Sequence, residues 1–451
     1  MVRSGTLSAR SLTETTLRRI ERFDGSINAY RVVMAQTAIA TAERIDALTD
    51  ADRATLSLAG VLVAIKDDTD VQGQTTAWGS STRRGICERD ADVVARLRRA
   101  GAVIVGKTNV PELTLWPWTA SKRWGVTCNP WASERTPGGS SGGSAAAVCT
   151  GMAAMALGSD GGGSVRYPAG LTGLVGVKPQ RDRVPVGSEH HSGWHGLLVL
   201  GPITRSVRDA ALFLDVVSGD GDGTIFRDAV IARPERLRVA ISTNPPPGTL
   251  VSLSKIGRNA VEIASSILSE LGHEVVEVDI KYGLASLWNS TVRLLNGVRE
   301  DAASLPDRRD LERRTRAVAR LGAMVPSRSL SRALQREEAI AASINAVFDQ
   351  ADVVLTPLCA SPAPRLDDCP SAGALRSLRK ANTSAWLVPW NAIGQPAIAV
   401  PVGIDEHGLP IAVQLAGRTG DEATLLALAA EIEACHPFPR WAAPSGPTPH
   451  R

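Results

Sequence analysis

A chain of 451 residues has room for two or three ordinary domains or one large one. Its 43% apolar and 21% charged residues exclude a disordered chain, and a net charge of only +4 gives no argument for a nucleic-acid or membrane surface. The densest basic cluster, Arg308, Arg309, Arg313, Arg314 and Arg316, alternates with acids as a solvated helix face does.

The N-terminal residues are polar and lack the apolar core of a signal peptide. Residues 8–23 read as a capped amphipathic helix, with Ser11 or Thr13 near its start and Leu12, Leu17 and Ile20 on one side. The run LAGVLVAI at 58–65 is continuously apolar and ends at Lys66, the pattern of a buried strand that delivers a residue at its C-terminal end. Residues 92–100 read as a helix and 102–105 as another strand. SAAAVCTGMAAMAL at 144–157 reads as a helix of small residues, and the apolar stretch around it is too short to span a bilayer. Short strands are expected at 174–177 and 197–199, and 238–242, 256–271 and 274–278 form a β-α-β unit. Residues 308–348 read as mostly helical, 353–356, 397–402 and 411–415 as strands, and 422–435 as a closing helix. Strands alternate with helices almost throughout, so the expected class is α/β with a mixed or mostly parallel sheet, in a single large domain spanning 1–451.

Cys87, Cys128, Cys149, Cys359, Cys369 and Cys435 are scattered, with no CxxC and no histidine at metal spacing. Reduced thiols of a cytoplasmic protein are the expectation, with no metal and no cofactor. Two motif matches are decoys. GAVIVGKT at 101–108 fits the P-loop expression, but Ala, Val, Ile and Val between its glycines favour extended backbone over a phosphate-cradling loop. Ser252 and Lys255 fit SxxK without the partner motifs that signature requires.

The chemistry concentrates in TPGGSSGGSAAAVCTGMAAMALGSDGGGSVRYPAG, which carries two serine-bearing glycine loops and no histidine. In DGGGS at 160–164, the glycines can turn several N–H groups toward one point, as an oxyanion site requires; losing one such donor typically costs about 3–4 kcal/mol. A serine hydroxyl attacks only when a base takes its proton. His190, His191 and His195 leave a Ser-His-Asp arrangement open. Lysine is the other candidate: with an ordinary pKa of ~10.4, roughly one in 2,500 is neutral at pH 7, so a catalytic lysine must be desolvated. Lys66 is the lysine most clearly led into a core, though it could equally be a buried partner of Asp67 or Asp68.

These residues resemble the amidase signature family. The likeness runs through GVLVAIKDDTDVQG, GAVIVGKTNVPEL, WGVTCNPW, RTPGGSSGGSAAAV, GSDGGGSVRYPAG, GLVGVKPQ, GPITRSV, DVVLTPL and WNAIGQPAIAVPVGIDEHGLPIAVQLAGR, in order along most of the chain. It implies an α/β fold with a mixed central sheet covered by helices, and amide hydrolysis without a metal. By position it implies Ser164 as the acyl-enzyme nucleophile, Ser140 after a cis peptide as the bridging serine, and Lys66 as the proton acceptor. The N–H groups of Gly161, Gly162 and Gly163 would form the oxyanion hole, and Asp160 with Arg166 would support the loop. The expected partner is a small-molecule amide, with no nucleic acid and no membrane; self-association into a homodimer is left open.

The chain also departs from the family pattern. Asp68 stands where Asn is frequent, and a carboxylate so near Lys66 is expected to hold it protonated. Gly170-Leu171-Thr172 replaces an aromatic-cysteine stretch, and the N-terminus begins later than in many members. A glutaminase subunit of a tRNA-dependent amidotransferase shares the triad; GGG before the nucleophile and HHSGWHGL at 190–197 favour a stand-alone amidase instead. A hydrazide, anilide or ester hydrolase would use the same groups. Trp116, Trp118, Trp124, Trp194, Trp386 and Trp390 lie near the motifs and point weakly to an apolar or aromatic acyl group.

Overall fold

The computed structural model describes residues 1–438 except 82–84, 188–192, 219–222, 233, 370–372, 374–376 and 378–381. Its strands are β1 (Tyr30–Val33), β2 (Leu62–Lys66), β3 (Val103–Thr108), β4 (Ala120–Ser121), β5 (Gly125–Val126), β6 (Met155–Asp160), β7 (Val175–Lys178), β8 (Val199–Thr204), β9 (Arg238–Ile241), β10 (Glu274–Glu277), β11 (Val353–Pro357), β12 (Ala397–Ile404) and β13 (Pro410–Ala416). Eleven of them form one sheet in the order β1-β3-β2-β6-β8-β7-β12-β13-β11-β9-β10, and β4 pairs only with β5. Two parallel blocks (β2 with β3 and β6, β9 with β10 and β11) flank a continuous antiparallel run from β6 to β11, so the sheet is mixed.

Both faces of the sheet are covered, which explains the uninterrupted apolar run before Lys66. Val63 and Ile65 pack into one core with helices Asp92–Arg99, Val207–Val217, Lys255–Glu270 and Glu422–Cys435. Leu62 and Ala64 face the other core, with helices Ala9–Ile27, Ala35–Asp46 and Gly142–Cys149. Side chains alternate along a strand, so Lys66 shares the parity of Leu62 and Ala64 and turns toward the small-residue helix.

Two expectations need correction. The small-residue run is not one helix: it stops at Cys149, turns at Gly151 (φ 69°), and continues as β6. Ala153, Ala154 and Ala156 are small enough for either state, and the lane between β2 and β8 decides for a strand. The arginine cluster is not wholly solvated either. Arg308, Arg309 and Arg313 are exposed, but Arg314 is buried over the rings of Trp116 and Trp118. The strand expected at 197–199 begins only at Val199 and runs to Thr204, and the other expected elements overlap their ranges more fully. The first helix runs Ala9–Ile27 and is capped by Ser8, whose side chain accepts from the Ser11 N–H. The P-loop look-alike is strand β3, as its β-branched residues predict.

Candidate active site

The register of the sheet brings the two serine loops to the lysine. β2 and β6 run parallel, with Ile65 opposite Leu157, so their C-terminal ends present Lys66 and Ser159-Asp160 at one edge. The helix Gly142–Cys149 begins just after Ser140, and its Ser141 bonds both loops: its N–H donates to the Ser164 carbonyl at 3.3 Å and its hydroxyl to the Ser159 carbonyl at 3.3 Å. Before it, the Gly139–Ser140 peptide is cis. Gly139 admits no side chain, because a Cβ there would lie 2.6 Å from the Trp118 nitrogen.

Lys66 is fully buried, and its Nζ donates to Ser140 Oγ at 2.7 Å, Ser159 Oγ at 2.7 Å and the Ser159 carbonyl at 3.2 Å. Asp68 Oδ2 lies 3.3 Å from the same nitrogen. Burial lowers the pKa of Lys66, and the opposing pull of Asp68 and Asp160 does not cancel it. Asp68 thus acts in the expected direction, favouring the protonated lysine, while burial sets the net direction of the shift. Asp67 is engaged elsewhere, with Arg31 at 2.9 Å and Lys107 at 3.0 Å.

Ser164 is partly exposed, and among the described residues its hydroxyl has no hydrogen-bond partner. Behind it Asp160 acts as a hub. Its carboxylate accepts from the N–H groups of Gly163 (2.6 Å), Val165 (3.2 Å) and Arg166 (3.4 Å), from Arg166 Nε (3.0 Å) and Nη2 (2.9 Å), and from Asn391 Nδ2 (2.9 Å). Arg166 and Asn391 hold this carboxyl well below the usual carboxylate range despite its burial. Arg166 also donates to the Leu387 carbonyl at 3.0 Å and to Gln414 Oε1 and Asn391 Oδ1, both at 2.5 Å.

This network changes the role of Gly163. Its N–H points back to Asp160 and is not open to a ligand. Gly163 instead supplies a φ of 116°, beside a Leu387 side chain that a Cβ would approach to 2.5 Å. The N–H groups of Gly161, Gly162 and Ser164 have no acceptor among the described residues.

Sequence reasoning missed Ser159, Asn391, Gln414 and the role of Trp194. Asn391 and Gln414 lie inside motifs that carry the family likeness, and Ser159 immediately precedes DGGGS, so the signal was there without a role attached. Trp194 belongs to a left-handed stretch, Gly193 to Gly196, with φ of 51°, 50°, 55° and 84°. Its ring packs on Gly161, where a Cβ would lie 2.8 Å away, and its indole N–H donates to Asp301 Oδ2 at 2.7 Å. The backbone strain is held by Arg293, which donates to the His195 carbonyl at 2.6 and 2.9 Å, and by Arg181, which donates to the Gly196 carbonyl at 2.7 Å. The His195 ring sits 3.2 Å from Glu300. His190 and His191 lie outside the described residues. Trp116, Trp118, Trp386 and Trp390 are almost completely buried, Trp116 and Trp118 stacked at 5.9 Å, so these four are packing residues.

A model of the family described as Amidase matches residues 11–426. The chain belongs to the amidase family. It is 46% identical over 442 residues to "Putative amidase AmiB2" of Mycobacterium tuberculosis, covering 97% of this chain and 95% of that protein. It is also 34% identical over 482 residues to a glutamyl-tRNA(Gln) amidotransferase subunit from a Synechococcus species, covering 96% and 94%. Among solved structures, 6-aminohexanoate cyclic dimer hydrolase bound to its substrate superposes with a TM-score of 0.86 at 28% identity, over 99% of this chain and 96% of that one. This amidase is an amide-hydrolysing enzyme. Among the described residues, no helix is long and apolar enough to cross a membrane, and no group of three His, Cys, Asp or Glu side chains could hold a metal ion.

Proposed function

We infer that this amidase cleaves a carboxamide to a carboxylate and ammonia or an amine, through an acyl-enzyme on Ser164 with Ser140 and Lys66 as the proton relay. The observation that carries the reading is the 2.7 Å contact between fully buried Lys66 and Ser140, on a loop bonded to the Ser164 backbone. As Ser164 Oγ attacks the carbonyl carbon, its proton passes to Ser140, and the Ser140 proton passes to the neutral amine of Lys66. The carbonyl oxygen becomes an oxyanion facing the open N–H groups of Gly161, Gly162 and Ser164. When the tetrahedral intermediate collapses, the relay returns the proton to the leaving nitrogen, and the C–N bond breaks. Water then repeats the sequence on the acyl ester and frees the acid. The higher identity to AmiB2 than to the amidotransferase protein favours a stand-alone enzyme.

The test is turnover of a panel of primary and N-substituted amides, read as ammonia or amine release, with labelling by a fluorophosphonate probe. Ser164→Ala should abolish both turnover and labelling. Full activity in that variant would defeat the assignment.

A further inference from the structure

Ser140 is one of two hydroxyls on Lys66. The other, Ser159 Oγ, lies at the same 2.7 Å and donates its own proton to Asp68 Oδ2 at 2.5 Å. Ser140, Lys66, Ser159 and Asp68 thus form a continuous row, and each is 1% exposed or less. The row gives every ammonium N–H an acceptor: Ser140 Oγ, Ser159 Oγ, and either Asp68 Oδ2 or the Ser159 carbonyl. Lys66 gains a positive charge each time it accepts the Ser140 proton. In a site closed to water, that charge has to be met by a fixed anion. Two carboxylates bear on it: Asp68, in the turn after β2, and Asp160, at the end of β6. Asp160 is paired with Arg166 at 2.9 Å, and the neighbouring Asp67 with Arg31 and Lys107. Asp68 is the carboxylate in direct contact with the lysine, its Oδ2 3.3 Å from Nζ.

Resting on the lysine-relay reading above, we propose that Asp68, acting through the Ser159 hydroxyl, is the positioning residue of the base: it aims Lys66 at Ser140 and stabilises the ammonium that forms during the reaction. The arrangement follows the general logic of a nucleophile, a base and a third group that orients the base. No proton need leave the row, and Ser159 keeps its own throughout.

The test is the pH profile of kcat and kcat/KM on an amide turned over by the wild-type enzyme. Asp68→Asn keeps the shape and removes the charge, making Lys66 a weaker base. Its acid limb should move down by about one pH unit, while the plateau kcat falls by about tenfold and KM is unchanged. A merely structural role would lower the plateau and leave the limb in place, and that result overturns the proposal. Ser159→Ala should move the limb in the same direction, and Ser159→Thr, which keeps the hydroxyl, should restore it. If Asp68→Asn does not fold, this serine pair decides: profiles identical to wild type in both variants refute the role. Fluorophosphonate labelling separates the two levels. A labelled Ser164 with an immobile limb defeats only the Asp68 assignment, whereas an active Ser164→Ala enzyme removes the relay beneath it.

Discussion

Replacing Arg166 by Met tests whether the nucleophile loop is held from behind or whether Arg166 reaches the substrate. Arg166 is fully buried and bonds Asp160 twice, the Leu387 carbonyl, Gln414 and Asn391. Methionine fills much of the volume but leaves Asp160 buried without its cation. The carboxylate keeps the N–H donors of Gly163, Val165 and Asn391, which soften the loss without neutralising the charge. Breaking a buried pair on one side costs about 3–5 kcal/mol. Equilibrium urea unfolding, followed by the fluorescence of the ten tryptophans, reads this directly. In kinetics, kcat should fall while KM stays within a factor of about two, because what is lost is the placement of Ser164 and not a substrate contact. Asp160→Asn in the same background removes the stranded charge and should recover most of the stability. If Arg166→Met unfolds like wild type but raises KM, and Asp160→Asn rescues nothing, Arg166 contacts the substrate and the loop-support argument is wrong.

Trp194→Phe keeps a ring against Gly161 but cannot donate to Asp301; a hydrogen bond to a carboxylate is worth about 1.5–3 kcal/mol. Stability should drop by that order and kcat should fall with KM unchanged, and wild-type values of both would detach Trp194 from the anion site. Lys178 is fully buried at the end of β7, donates to the Pro179 carbonyl at 3.0 Å, and is pushed down to about 7, chiefly by burial. Its unfolded value is about 10.4, so between about 7 and 10 the unfolded chain binds more protons and wild-type stability rises with pH. Lys178→Met should therefore be more stable than wild type at pH 7, and the gain should disappear toward pH 10. A gain independent of pH would refute the assigned titration.

Much of the fold was legible because burial on both faces writes itself into the sequence. The run 58–65 announced a doubly covered strand, which occupies its second half as β2 while 58–61 turn into it, and β3 identified itself against its P-loop spelling through Val103, Ile104 and Val105. What misled was the stretch 144–157, where alanines, one glycine and two methionines pack equally well in either state, and a gap in the sheet chose for them. The candidate site divides the same way. Lys66, Ser140 and Ser164 stand out as residue types with a chemical purpose. Gly163 looked like its neighbours, and only a carboxylate three residues back, 2.6 Å from its N–H, separates its role from theirs.

The sequence by itself determined the α/β class, two serine-bearing glycine loops and a lysine led into a core. Those depend on composition and periodicity along the chain, which local chemistry fixes. Tertiary structure alone decided which neighbours share the lysine, because Lys66 meets Ser140 and Ser159 across separations of 74 and 93 residues. It also decided that Asp67 and Asp68, adjacent in sequence, face different cations. Both lie in the turn after β2, where adjacent side chains meet different elements, and the cation each one meets is set by that packing and not by the sequence order.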